Sequence, residues 1–403
     1  MPKILIIGNG FDLAHNLPTK YEDFLDFCIL FDHMLKYTGP SKYDEAIKNL
    51  DSEKKAVCSD AKINDSVAYA IKHIFSTQSV LIESDYSKIG NAFKQMISVD
   101  GKSIVVKSVF EELITNNVWI DYFISLRGKM GGNWIDFETE ISEVLDNIDE
   151  IEKLAAADIH KSKYKIIKRA YSKALEKDIT TTFIEDKGES FKFNFIDKLY
   201  CALNNLIRAL EIYFTAFVEN IEVKIKQPII SAEKFDLVLS FNYTDTFRRV
   251  YQSDMDDKHI CFIHGRAKLE NTIESCNLVL GVQETIKADN TEEELELLVF
   301  KKYYQRIYKG TDSQYLDWLS NLERFKDQSY EIYIFGHSLD VTDHEVLRAF
   351  IDNPRCKTSI YHYNRVAMGS QLKNLFGFID HDKMVKMSGG VNPAIRFINQ
   401  NNP

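Results

Sequence analysis

Proline is scarce in this chain, 7 in 403 residues, and glycine stands at only 17. Such a sequence is neither collagen-like nor linker-rich, and it carries no repeat or low-complexity stretch. Cys28, Cys58, Cys201, Cys261, Cys276 and Cys356 are scattered with no C-x-x-C pair. That spacing argues against a disulfide framework or a structural zinc site, and for free thiols in a reducing compartment. No apolar run approaches the roughly 18–20 residues of a membrane span, so no membrane association is expected. The apolar start Ile4-Leu5-Ile6-Ile7 is too short for a signal h-region and runs into Gly8, which reads as a core strand of a cytoplasmic protein. Positive charge is also in deficit: 50 Lys and Arg against 60 Asp and Glu leave a net charge of −10. Nucleic-acid binding through overall charge is therefore disfavoured.

What remains is ordinary globular composition, 45% hydrophobic and 27% charged, in a chain long enough to bury a large core. Its texture divides it. Ile4 to Ile7 is a continuous apolar run of the kind buried on both faces of a parallel sheet. Thr19-Lys20-Tyr21-Glu22 reads as a capping box that starts a helix. From about 40 to 230 the patterns are helical, as in Phe195, Leu199, Leu203, Leu206, Leu210 and Phe214. Strand patterns return at 235–242, 259–265, 278–281, 331–336 and 358–364, and Thr342-Asp343-His344-Glu345 reads as a second capping box. The expectation is an α/β, doubly wound, mostly parallel, Rossmann-like sheet. Residues 1–38 and 231–395 would form one composite nucleotide-binding domain, with 39–230 as a helical insertion.

In open parallel sheets ligands bind beyond the carboxyl ends of the strands. Four such ends are polar here. The first is Gly8-Asn9-Gly10-Phe11-Asp12, whose glycines would let backbone amides approach a phosphate. The second is Ser240-Phe241-Asn242, where Asn242 could orient a water or a ribose hydroxyl. The third is His264, a proton acceptor near neutral pH. The fourth is Gly336-His337-Ser338-Leu339-Asp340, with Asp340 suited to a ribose hydroxyl. Each also has a plain structural reading, as a tight turn, a backbone-bonded side chain or a helix cap.

Several of these segments resemble the bacterial abortive-infection AbiH family: Gly8 to His15 with Leu17-Pro18-Thr19 and Tyr21-Glu22-Asp23-Phe24, then Trp134-Ile135-Asp136-Phe137-Glu138. Ser240-Phe241-Asn242-Tyr243-Thr244, Ile263-His264-Gly265 and Phe335-Gly336-His337-Ser338 complete the likeness. The resemblance implies phage defence, with a phage-derived trigger as a partner. The order of glycine turn, Asn-Tyr, His-Gly and Gly-x-Ser is also similar to sirtuin-like NAD-binding domains. That likeness implies NAD as substrate or ligand, with catalysis by Asn242 and His264, and no metal. Gly8, Asn9, Gly10, Phe11, Asp12, Ser240, Gly336, His337, Ser338 and Asp340 would bind the dinucleotide. Glu138 could supply a carboxylate from the insertion.

Two other functions compete with NAD hydrolysis. Asp12, His15, His264, His337, Asp340, Asp343 and His344 could hold divalent ions for a nuclease or phosphodiesterase. A nucleotide-binding sensor without chemistry is the other. Lys301 to Lys309 interleaves bases and aromatics but follows the acids Glu292, Glu293 and Glu294, and reads as a charged helix face. A homo-oligomer stays open.

Overall fold

The structure is a computed structural model that describes residues 1–37, 103–130, 136–146, 189–282, 295–311, 313–324 and 329–401. The chain opens with β1 (Lys3–Ile7), α1 (Asn9–Ala14) and α2 (Tyr21–Tyr37). Helices α3 (Ser103–Ile114), α4 (Val118–Met130), α5 (Phe137–Asp146) and α6 (Glu189–Ile212) follow, the last ending in a π-helical turn over Tyr213–Phe217. After α7 (Pro228–Ser231) come β2 (Leu237–Ser240), α8 (Thr246–Val250) and β3 (Ile260–Phe262). Helices α9 (Lys302–Lys309) and α10 (Gln314–Arg324) lead to β4 (Tyr330–Phe335), α11 (His344–Ile351) and β5 (Cys356–His362). Helices α12 (Arg365–Leu375) and α13 (His381–Ser388) precede β6 (Ile395–Asn399).

Among the described residues six strands form one sheet in the order β3-β2-β1-β4-β5-β6, every pair parallel. This is the doubly wound, Rossmann-like order, and the expected fold class holds. β1 lies in the centre, where Ile4, Leu5 and Ile6 are fully buried. Alternation assigns its side chains to two cores. Ile4 and Ile6 pack with Ile332, Ile334, Val346, Leu347 and Phe350. Leu5 and Ile7 pack on the other face with Phe11, Ile230, Phe247 and Phe335. Burying each such side chain stabilises by about 1.5–3 kcal/mol, which is why positions 4–7 of this strand are all apolar. A third core lies among the helices, where Leu199, Leu203, Leu206, Leu210 and Phe214 keep the helical stripe buried.

Several expectations are corrected. Residues 278–281 do not join the sheet. The Gln305 side chain bonds both the N–H (3.1 Å) and the C=O (3.1 Å) of Leu280, doing the work of a ladder neighbour. Strand β6 was not anticipated; it is an edge strand with one neighbour and a short, mixed sequence. Neither capping box forms as read. The Thr19 hydroxyl bonds Asn9, and Asp23, not Glu22, accepts from the Lys20 N–H at 3.0 Å. Ahead of α11, Asp340 does the capping, accepting from the Thr342 N–H at 3.0 Å. Cys28, Cys201, Cys261, Cys276 and Cys356 are free thiols; Cys58, Trp134, Ile135 and the 292–294 acids lie outside the described residues. Among the described residues, no helix is long and apolar enough to cross a membrane.

Candidate functional site

Strand register sets the site. Ile7 stands level with Ser240 and Phe335, and Ser240 with Phe262. The clusters that follow these residues therefore leave the sheet side by side. Asn9, Asn242, His264 and Ser338 all lie on this one carboxyl edge, two residues beyond the last paired position on β1, β2 and β3 and three beyond it on β4.

The glycine turn serves a purpose other than the one expected. Residues from Asn9 onward already form α1, and its start is covered from within the chain. The Gly10 N–H donates to the Gly336 carbonyl at 2.8 Å, the Phe11 N–H to the Gly8 carbonyl at 2.8 Å and the Gly8 N–H to Phe335 at 3.3 Å. A Cβ on Gly10 would lie 2.8 Å from Gly336, and one on Gly8 2.9 Å from His337. The glycines let two backbone turns touch; the amides of Gly8 and Gly10 are spent on that contact and the amide of Phe11 within its own turn. The Phe11 side chain is core, packed on His15, Phe335 and Tyr251 at centroid distances of 4.5, 5.9 and 6.0 Å. Ser240 brackets the next turn, its hydroxyl accepting from the Asn242 N–H at 3.2 Å. Ser338 is exposed and Asp340 is a cap.

The polar centre is elsewhere on the same edge. Asp343 occupies the N-cap position of α11 yet makes no capping bond. Its carboxylate turns inward to His264 Nε2 (3.1 Å), His337 Nε2 (3.5 Å) and Lys302 Nζ (3.9 Å). Burial alone would raise Asp343, but Lys302 and His264 hold it well below the usual carboxylate range. Lys302 also pairs with Glu138 at 2.8 Å. Burial lifts the Glu138 carboxyl to about 7, against the pull of Lys302.

Two locks fix the imidazoles. Leu339 is forced into the left-handed region (φ 60°), a strained geometry for a buried leucine. In that pose its N–H donates to His337 Nδ1 at 2.9 Å, so the His337 proton sits on Nε2, facing Asp343. Burial lowers His264 to about 4, with Lys302 adding to the effect. The neutral His264 ring then keeps its proton on Nε2 for the carboxylate. Its Nδ1 lone pair is buried and has no partner. Both side-chain polar atoms of Asn242 are also buried and unpartnered. Orphaned polar atoms of this kind are rare, and each costs about 1–3 kcal/mol unless something outside the fold takes it up.

Glu138 reaches the site because of the two residues before it. Asp136 caps α5 through the Glu138 N–H at 3.0 Å. Phe137 is held between Tyr21 (4.2 Å) and Phe123 (4.0 Å), stacked nearly parallel to each. This stack fixes the first turn of α5 and aims Glu138 at Lys302. Glu138 is thereby held in a largely buried ion pair with Lys302.

These contacts complete a fold whose central turn, insertion carboxylate and three sheet-edge clusters can be compared with known families. Residues 4–364 match the family model described as bacteriophage abortive infection AbiH. The chain belongs to the AbiH family. Its role is thus in bacteriophage abortive infection. No curated protein and no solved structure matches it.

Of the residues expected in this AbiH site, the structure brings Asn242, His264, His337 and Glu138 to one edge with Asp343. It sends the others to structural work. Among the seven proposed metal donors, His15 is tied to the Phe11 carbonyl and Tyr251 (both 2.6 Å), His344 to the Leu339 carbonyl (3.3 Å) and Asp12 to Thr244 (2.6 Å). Among the described residues no group of three or more His, Cys, Asp or Glu is placed to hold a metal ion. Lys302 was missed as a site residue: within Lys301-Lys302-Tyr303-Tyr304 it looks like one more surface base. Its burial is set by Glu138 and Asp343, both remote in the sequence.

Asp12 is buried with one carboxylate oxygen unpartnered, and burial raises it to about 6. A raised carboxyl weakens the fold once pH exceeds its unfolded value near 4, and fully so above about 6. Asp12→Asn is therefore expected to gain stability on the order of 1–3 kcal/mol at pH 8 and almost none below pH 4. Urea unfolding at the two pH values checks this; equal gains at both would contradict it.

Proposed function

We propose that this AbiH protein kills infected cells by hydrolysing NAD to nicotinamide and ADP-ribose. The observation that carries this reading is that Asn242, with an unpartnered carboxamide, and His264, with an unpartnered Nδ1, stand at matching positions beyond the ends of neighbouring strands. In the reaction the bond from ribose C1′ to the pyridinium nitrogen breaks, and its electron pair leaves with neutral nicotinamide. No acid is needed for that departure. The ribosyl cation that develops needs a negative group nearby, which Glu138 supplies in its ionised form. Asn242 orients the ribose or the attacking water. The water oxygen bonds to C1′ and its proton passes to His264 Nδ1. Asp343 steadies the imidazolium so formed, and Lys302 keeps two carboxylates from repelling each other.

The test is purified full-length protein incubated with NAD, with and without extract of phage-infected cells, and chromatography for nicotinamide. No release under either condition refutes the reading. Where release occurs, its pH profile is diagnostic. Glu138 must be ionised, so kcat/KM is expected to rise through about pH 7, while His264, at about 4, stays unprotonated across that range. Glu138→Gln is expected to lower the rate about a hundredfold or more and to remove the rise near neutrality. An unchanged profile in that variant would take Glu138 out of the mechanism.

A further inference from the structure

A dinucleotide carries two phosphates, and the usual place for them in this fold, the start of α1, is closed by the Gly336 carbonyl. Any phosphate at this edge must be met by a side chain. Lys302 is committed to Glu138 and Asp343. Four residues later, on the same face of α9, stands Arg306. One helical turn from Lys302, it lies on the side of α9 that carries the polar centre's cation, and its charge lowers both His264 and Lys302. Its Nε is buried and has no hydrogen-bond partner, and no described carboxylate pairs with its guanidinium. A guanidinium in that condition is a planar fork with its donors unspent, the geometry that grips phosphate oxygens in pairs.

We infer that Arg306 is the phosphate-binding residue of this site, so that its ligands are nucleotides and not free nucleosides. The inference rests on the NAD reading for the identity of the ligand, and on Arg306 itself for its charge. With Glu138 ionised for catalysis, Lys302 is balanced by its two carboxylates, and Arg306 is the cation that no described carboxylate pairs.

The experiment is calorimetric titration of the full-length protein with ADP-ribose at low and high salt. Arg306→Ala is expected to weaken binding at least tenfold, roughly what one charge-assisted pair contributes, and to flatten the salt dependence. Arg306→Lys should fall between, since it keeps the charge and loses the fork. Arg348→Ala, which removes an exposed charge on α11, should bind as the wild type does. Melting temperatures separate weakened binding from misfolding, and Arg306→Gln replaces the alanine variant if the latter does not fold. Equal ADP-ribose affinity in wild type and Arg306→Ala, or no binding by the wild type at millimolar ligand, overturns the inference. Arg306-dependent binding of ADP-ribose without any NAD cleavage would sink the hydrolase reading and leave the phosphate site standing. NAD cleavage with an unchanged KM in Arg306→Ala would do the reverse.

Discussion

The Asp343→Asn protein is expected to fold and to lose NAD hydrolysis by about a hundred- to ten-thousandfold. The reason lies in the count of donors. Asp343 accepts from His264 on one oxygen and faces the His337 Nε2 proton with the other. An amide offers one acceptor and one donor group. Whichever way it turns, its NH2 meets an imidazole N–H. His337 cannot adapt by moving its proton, because its Nδ1 is already taken by the Leu339 N–H. The adjustment falls on His264, whose proton shifts to Nδ1, and the lone pair that would take the water's proton disappears. Nitrogen NMR of the labelled imidazoles reads this tautomer shift directly, whether or not turnover is detectable. Nicotinamide release at the wild-type rate, or an unchanged His264 tautomer, would show that Asp343 does not set the base. Stability should fall only moderately, because Lys302 retains Glu138.

A second large effect belongs to the sheet, not to the chemistry. At Gly336 φ is 67°, and a Cβ there would sit 2.0 Å from the Phe11 nitrogen and 2.3 Å from the Gly10 carbonyl carbon. Both neighbours are backbone, held by β1 and α1, and neither can retreat without parting β1 from β4. Gly336→Ala is expected to cost about 4 kcal/mol or more, enough to remove soluble protein from an expression culture. Gly310 provides the comparison. It has a similar φ of 58° and nothing within 4 Å of its absent Cβ. Gly310→Ala should cost only the left-handed strain, about 1–2 kcal/mol. Thermal melts of the two variants separate crowding from strain. Similar melting temperatures would mean that the β1–β4 contact is looser than described.

The sheet was legible because its central strands are unbroken apolar runs, a pattern few alternatives satisfy. β6 was not, since an edge strand needs only one partner and Ile395-Arg396-Phe397-Ile398-Asn399 lacks such a run. The site was readable to the extent that it follows strand ends. Asn242 and His264 come from neighbouring strands in matching register, so locating the strands located them. The contacts of Gly10 and Phe11 were not legible, because a turn that faces another turn and one that faces a ligand use the same glycines. Asp343 was hidden inside a helix-capping pattern, although its side chain makes no cap. Lys302 could not be told from a solvated face until Glu138 and Asp343 were placed beside it, and Arg306 follows it by one turn of the same helix.

The bond between Glu138 and Lys302 joins a helix made early in synthesis to one made late, and Asp343 follows later still. A ribosome that stalls before β4 releases a polypeptide that already holds Glu138, Lys302 and His264 but not Asp343, the carboxylate that holds the His264 proton on Nε2. On the proposed mechanism such a fragment lacks the group that sets its base, so the catalytic centre is complete only once synthesis has passed Asp343.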